Sequence, residues 1–292
     1  MANANLSNAK RAKNDEFYTQ LSDIENELKH YKNHFAGKVV YCNCDDARES
    51  NFFRFFQKKF SDYGLKKLIT TSYNENGHGS VLVYEGDTNG NGKLDEHEVK
   101  VSELKGNGDF RSEECIELLK ESDIVVTNPP FSLFRDYIAT LVEYGKKFLV
   151  IGNKNAITYK EIFPLIKENK LWLGYYCPNE FRLPNGDTTK KVNGLCRWFT
   201  NLDIKKRHET IYPYKSYNEE EFPKYDNYDA IEVSKVCEIP KDYDGIMGVP
   251  ITFLDKYNPS QFEIVKFRKG DDDKDLCVNG KCPYFRILIR KK

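Results

Sequence analysis

Between residues 38 and 169 the chain repeats one unit, a short apolar strand, a loop and a helix, and this repetition constrains the fold more than any other feature. Residues 38–42, Lys-Val-Val-Tyr-Cys, read as a buried strand. Its loop carries Asp45 and Asp46, and the helix behind it is apolar at Phe52, Phe53, Phe55, Phe56 and Phe60. Strands of the same kind recur at 65–71, at 124–128 with a helix through Tyr144, and at 147–152 with a helix over 159–169. Alternation of this sort predicts an open α/β sheet, whose ligands collect at the carboxyl ends of its strands. Asp45, Asp109 and Asn128 all stand at or just beyond such ends. Ahead of the first strand, residues 1–36 read as a polar arm and a helix from Leu21 to about Phe35, closed by Gly37.

The strand at 124–128 runs without a spacer into Asn128-Pro129-Pro130-Phe131. Two consecutive prolines fix φ twice and remove two N–H donors, so this corner is rigid and presents carbonyl oxygens. An amino group conjugated to an aromatic ring has a delocalised lone pair. It becomes nucleophilic when acceptors draw on its two hydrogens, and the Asn128 side-chain oxygen and the Pro129 carbonyl are candidates for that task. Pro130 holds the corner, and Phe131 offers a face on which a planar base can stack, as when an enzyme takes a base out of a duplex. The structural alternative is a Pro-Pro strand terminator followed by a core phenylalanine.

A chain of 292 residues suits one α/β domain with an appendage better than two small domains. The formal net charge of zero gives no global signature of a nucleic-acid binder, so attraction to phosphate has to be local. The candidate patches are Lys10-Arg11-Ala-Lys13, Lys205-Lys-Arg-His208, and Arg286 with Arg290-Lys-Lys292, although a charge run is more often a solvated face. No stretch approaches the ~18 apolar residues of a membrane span and the N-terminus lacks a signal-peptide core, so the expected location is the cytoplasm, with no membrane partner. Eight cysteines then read as reduced thiols; Cys42-Asn-Cys44 and Cys277-Val-Asn-Gly-Lys-Cys282 lack the paired spacing of a structural zinc site.

Residues 80–85 and 99–104 read as two strands of a hairpin inserted at about 80–104. Its loop matches the EF-hand calcium pattern at every ligand position: Asp87, Asn89, Asn91, Lys93 by its backbone carbonyl, Asp95 and Glu98, with Gly92 at the sixth place. The flanks disagree, being strand-like where an EF-hand has helices, and an Asn-Gly-rich hairpin tip gives the same string. After residues 171–174 and 195–199 the α/β rhythm stops. Residues 208–292, dense in Tyr, Pro and Asp, read as an irregular second region, with 217–228 as an extended acidic connector and no internal repeat.

Several blocks together resemble one family, the EcoRI-type adenine-specific DNA methyltransferases. They are Asn14-Asp-Glu-Phe-Tyr-Thr19, Asn43-Cys-Asp-Asp46, Gly106-Asn-Gly-Asp-Phe110, the Asn-Pro-Pro-Phe block, Ile151-Gly-Asn-Lys-Asn155, Arg197-Trp-Phe-Thr-Asn201, Pro223-Lys-Tyr-Asp-Asn-Tyr-Asp-Ala230 and Gly248-Val-Pro-Ile-Thr-Phe253. The resemblance implies a Rossmann-like sheet that binds S-adenosylmethionine over residues 1–207, and target recognition in 208–292. It further implies methyl transfer to the exocyclic amino group of adenine in double-stranded DNA, with a cognate restriction endonuclease as a candidate partner acting on the same site. Asn128, Pro129, Pro130 and Phe131 would be the catalytic residues. Phe17, Tyr18 and Thr19 would pack around the methionine end of the cofactor, Asp45 or Asp46 would pair with its ammonium group, and Asp109 and Phe110 would hold its adenine. The sequence departs from the common methyltransferase pattern in lacking a Gly-x-Gly turn after the first strand, and Thr70-Thr-Ser-Tyr73 offers no acid for the ribose. The alternatives are an RNA or protein amino-methyltransferase on the same fold, or a non-catalytic DNA- or calcium-binding protein.

Overall fold

A computed structural model describes residues 18–44, 50–91, 96–182, 188–189, 192 and 194–292. Two compact units divide the chain, the first drawn from Met1–Ile162 and Leu173–Leu202, the second from Phe163–Trp172 and Asp203–Lys292.

The main sheet is mixed. Its central strands are β2 (Val39–Cys42), β3 (Lys67–Ser72), β6 (Ile124–Thr127) and β7 (Lys147–Asn153), all parallel, in the spatial order β3-β2-β6-β7. Every residue of β2 and β6 is buried, which is why both read as unbroken apolar runs rather than alternating ones. Outside β3 lie β4 (Ser80–Tyr84) and β5 (Val99–Glu103), each antiparallel to its neighbour, so the expected hairpin extends the sheet. As the outer strand, β5 exposes Lys100 and Glu103, charges that discourage further strand pairing. Beyond β7 come the antiparallel β10 (Cys196–Thr200) and the short β8 (Trp172–Leu173).

The helices follow from their caps and apolar faces. Leu21–Leu28 forms α1. Ser50 caps α2 (Asn51–Lys58) by accepting from the Phe52 and Phe53 amides, and the helix buries Phe52, Phe53, Phe55 and Phe56. Truncating one such ring would cost about 3–5 kcal/mol. A single turn, α3 (Phe60–Tyr63), follows, then α4 (Glu113–Glu121), capped by Ser112, and α5 (Phe134–Glu143).

Two expected helices are shorter than their periodicity suggested. The helix expected through Phe35 ends as α1 at Leu28. Beyond it Tyr31 leaves helical geometry and turns its hydroxyl to the buried Glu27 carboxylate, 2.7 Å away. The helix expected over 159–169 reduces to α6 (Phe163–Lys167), with Pro164 in its first turn, where a missing N–H is harmless.

The second unit corrects the expectation of irregular structure after residue 208. It contains a four-stranded sheet, β11 (Ile231–Glu232), β12 (Met247–Pro250), β14 (Arg286–Lys291) and β13 (Phe262–Phe267) in that order. Tyr225, Ala230, Leu276 and Leu288 form a core cluster on it. Beside them the Arg286 guanidinium meets the Glu232 carboxylate at 2.6 Å, and the Tyr225 hydroxyl donates to the same carboxylate. A second correction concerns the thiols. Cys277 and Cys282 form a disulfide, because Asn279 and Gly280 make a tight turn at positive φ that pairs Val278 with Lys281. The other six cysteines form no disulfide. Among the described residues no helix is long and apolar enough to cross a membrane.

Candidate active site

The parallel strands reverse their order of succession between β2 and β6, with β3 on one side and β7 on the other. In an open α/β sheet such a reversal leaves a crevice at the carboxyl ends of the two strands. Asn43 follows β2 there, and Asn128 follows β6.

Asn43 is 3% exposed and ties the two exits together. Its carbonyl accepts from the Thr127 hydroxyl, and its side-chain oxygen accepts from the Tyr137 hydroxyl on α5. Burial holds the Tyr137 phenol well above its usual range, so it stays protonated and keeps donating. The start of the loop that carries Asp45 and Asp46 is thus anchored to the last residue before Asn128.

Asn128 is itself 8% exposed. Pro129 is buried, while Pro130 and Phe131 are half-buried, and every described peptide bond is trans. The Leu133 amide donates to the Pro130 carbonyl at 3.0 Å, which begins the turn into α5. Of the two proline carbonyls, Pro130's therefore serves the fold, and Pro129's is the one left to the chemistry expected of the motif.

The turn bearing Asp109 reaches the same edge through a glycine. Gly108 has φ +82°, and a Cβ on it would lie 2.1 Å from the Ser72 carbonyl at the end of β3. Only glycine permits that approach, and the Asn74 amide donating to the Asn107 carbonyl at 2.8 Å fastens the turn beside it. Phe110 is 5% exposed and meets the Tyr137 ring edge-on, with centroids 5.0 Å apart. One buried tyrosine thus links Phe110 to Asn43. The Asp109 carboxylate receives a two-pronged contact from Arg111, Nε to Oδ1 at 2.9 Å and Nη2 to Oδ2 at 2.7 Å. The Arg111 hydrogen bonds hold its pKa below the usual carboxylate value. An ionised carboxylate has about four acceptor positions, so an arginine on one side leaves capacity for a further donor.

Tyr18 and Thr19 form β1, which pairs with β9 (Phe181–Arg182). The Asn51 side-chain amide, at the start of α2, donates to the Thr19 carbonyl at 2.7 Å. Phe181 meets Phe131 edge-on at 6.5 Å, so the amino-terminal block stands beside the aromatic end of Asn-Pro-Pro-Phe. The Thr19 hydroxyl is buried and has no hydrogen-bond partner in the protein. A polar atom kept dry in this way suits a site that a polar ligand completes.

The described members of the expected catalytic and cofactor sets, Tyr18, Thr19, Asp109, Phe110 and Asn128 through Phe131, therefore lie on one connected framework at the carboxyl edge. Phe17, Asp45 and Asp46 fall outside the described residues, as do Lys93 and Asp95 of the acidic loop. The rest of that loop, Asp87, Asn89, Asn91 and Glu98, lies at the opposite edge: β4 runs antiparallel to β3, and Tyr84 at its end pairs with Leu68. Among the described residues no group of three or more His, Cys, Asp or Glu is placed to hold a metal ion. The framework adds residues that sequence reasoning missed: Asn43, Asn51, Arg111, Thr127 and Tyr137. Arg111, two places after Asp109, and Asn43, at the head of the Asn43-Cys-Asp-Asp46 block, had a local signal.

A family described as adenine-specific methyltransferase EcoRI matches residues 5–292. The type II methyltransferase M.EcoRI of Escherichia coli is 53% identical over 98% of this chain and 96% of its own length. The type II methyltransferase M.MpnI of Mycoplasma pneumoniae is 46% identical over 97% of each chain. M.MgeORF184P of Mycoplasma genitalium is 42% identical over 97% of this chain and 98% of its own. No solved structure matches the chain.

Proposed function

The chain belongs to the EcoRI family of adenine-specific methyltransferases, and from that premise we propose that it methylates the exocyclic amino group of adenine at a specific site in double-stranded DNA. The methyl donor in this reading is S-adenosylmethionine, bound on a Rossmann-like sheet. The observation that carries the proposal is the placement of Asn128-Pro129-Pro130-Phe131 at the crevice between β2 and β6, anchored through Thr127 to Asn43.

Bound S-adenosylmethionine supplies a methyl group already activated by its positive sulfur. The protein's part is to position and to accept hydrogen bonds. The Asn128 oxygen and the Pro129 carbonyl accept hydrogen bonds from the two amino hydrogens of an extruded adenine, drawing the nitrogen towards a tetrahedral, nucleophilic form. As the nitrogen–methyl bond forms the sulfur–methyl bond breaks, the sulfur leaves as a neutral thioether, and the nitrogen gives up one proton to solvent. Pro130 keeps that corner rigid, and Phe131 stacks on the base. On the cofactor side, Asp109 would accept from the adenine amino group and Phe110 would pack on its ring. Tyr18 and Thr19, with Phe17 before them in the sequence, would enclose the methionine end, and Asp45 or Asp46 would pair with the ammonium group.

Residues 1–207 serve as the catalytic domain in this reading and 208–292 as the target-recognition region. The second unit, which also takes in Phe163–Trp172 and begins again at Asp203, has its own sheet and core, which supports a separate carboxyl-terminal region. The enzyme acts in the cytoplasm, with a cognate restriction endonuclease on the same site as its natural companion. The test is to incubate the purified protein with methyl-labelled S-adenosylmethionine and, separately, double-stranded DNA, RNA and protein, then digest the products. Label recovered as N6-methyladenosine's deoxy form from DNA alone supports the reading; label in RNA or protein alone refutes it.

A further inference from the structure

The loop between β4 and β5 takes no part in that chemistry, yet it is built in an unusual way. Asp87, Asn89, Asn91 and Glu98 bear oxygens at the first, third, fifth and twelfth places of a loop with glycine at the sixth, the spacing that wraps a chain around one hard cation. Its base is fixed. Tyr84 is 2% exposed and edge-on to Phe60 at 5.0 Å, and Gly86, at φ +95°, passes close over the same ring.

From that base the side chains turn inward. Asp87 Oδ1 accepts from the Gly90 amide at 2.7 Å and the Asn91 amide at 3.2 Å, and Asn89 Oδ1 accepts from the Asn91 amide at 3.0 Å. Glu98, just before β5, reaches back across the loop, where its Oε1 accepts from the Thr88 amide at 2.6 Å and the Asn89 amide at 3.2 Å. Its other oxygen is the independent observation. Glu98 is 9% exposed, and Oε2 is buried with no hydrogen-bond partner. A carboxylate oxygen that neither water nor a donor meets is costly to keep. Lys100, the nearest described cation along β5, is engaged by Glu85 at 2.6 Å.

We propose that this loop binds one calcium ion, held by Asp87, Asn89, Asn91 and Glu98, with the buried Glu98 Oε2 among its ligands. The donor set of carboxylate and amide oxygens without sulfur or imidazole fits a hard cation, and oxygens spaced along a loop fit calcium better than magnesium, which demands a near-ideal octahedron. Strands flank the loop, so binding fastens the β4–β5 hairpin and moves no helices. The loop lies at the sheet edge opposite Asn43 and Asn128, so calcium stabilises the protein without entering the reaction.

The experiment uses the full chain stripped with chelator, titrated with calcium chloride by calorimetry and followed by thermal melting, beside Glu98→Gln. Glutamine keeps an oxygen for the Thr88 and Asn89 amides and removes the buried charge, so the variant should fold and melt no lower than the stripped wild type. The expected result is one saturable calcium site and an upward melting shift of about 5–10 °C when calcium exceeds its Kd about a hundredfold. Both should be absent in Glu98→Gln, with methyl transfer in chelator and in calcium equal within about twofold. No heat and no shift at millimolar calcium would overturn the proposal, as would a shift that survives in Glu98→Gln.

Discussion

Replacing Gly108 by alanine tests whether a close backbone approach at the end of β3 positions the Asp109–Phe110 turn. Two costs combine. At φ +82° a residue with a Cβ is strained by roughly 1–2 kcal/mol. The new Cβ would also stand 2.1 Å from the Ser72 carbonyl, more than an ångström inside ordinary contact. Because that oxygen belongs to backbone, the turn or the strand end must move, and overpacking of this kind costs typically 1–3 kcal/mol. A combined loss of about 3 kcal/mol would lower the melting temperature by roughly 6–12 °C for a domain of this size. Displacing Asp109 and Phe110 should also weaken S-adenosylmethionine binding about tenfold or more, equivalent to 1.4 kcal/mol or more. Circular dichroism melts and calorimetric titration read the two effects. Gly106→Ala is the control, since its nearest neighbour, Glu114 Oε2, would lie 3.7 Å from the added Cβ in ordinary contact. If Gly108→Ala melts and binds like the wild type, or Gly106→Ala falls as far, the reasoning from the Ser72 approach is wrong.

Tyr137→Phe removes the donor to the buried Asn43 side chain and leaves its oxygen unpaired, so it should cost about 1–3 kcal/mol in urea unfolding; an unchanged midpoint and slope would show that the anchor is idle. Arg111→Leu should return the Asp109 carboxyl upward towards its ordinary pKa, which carbon-detected NMR titration can follow. The sign follows from a depressed folded value: the stabilisation by Arg111 is present above the unfolded carboxyl pKa of about 3.9 and is lost as pH falls through the lower folded one. Above about pH 5 the wild type should therefore hold its advantage over Arg111→Leu, and a gap that instead appears only on acidification would contradict the pairing.

What could be read from the sequence was what depends on neighbours in the chain. The strands β2 and β6 are visible because burial on both faces requires unbroken apolar runs, and the Asn-Pro-Pro-Phe corner because its residue types restrict the backbone by themselves. The hairpin β4–β5 is visible through its Asn-Gly-rich loop. Its addition to the sheet beside β3 is not, since strand order is a tertiary choice. The same holds for Asn43, whose partner Tyr137 lies 94 residues away. Helix lengths were overestimated where apolar periodicity continued but a side chain found a better partner, as Tyr31 did with Glu27. The sheet of the second unit left a fainter signal: Phe-Glu-Ile-Val-Lys-Phe in β13 alternates only in part, and β12 is only four residues long and ends in Pro250. The disulfide is hidden from chain length and compartment alone, because it depends on the positive-φ Asn279-Gly280 turn that brings Cys277 and Cys282 together.

The central claim is that Asn128 accepts from the target amino group and does not hold the methyl donor. Its most direct test is single-turnover methyl transfer to DNA by Asn128→Ala, with S-adenosylmethionine affinity measured on the same preparation. Loss of an acceptor that matters chiefly as the nitrogen becomes tetrahedral should slow transfer by on the order of 10²-fold or more. Cofactor affinity should change by less than about threefold, near 0.7 kcal/mol. A variant that transfers methyl groups at the wild-type rate, or one whose slowing is fully accounted for by lost cofactor binding, would contradict the assignment.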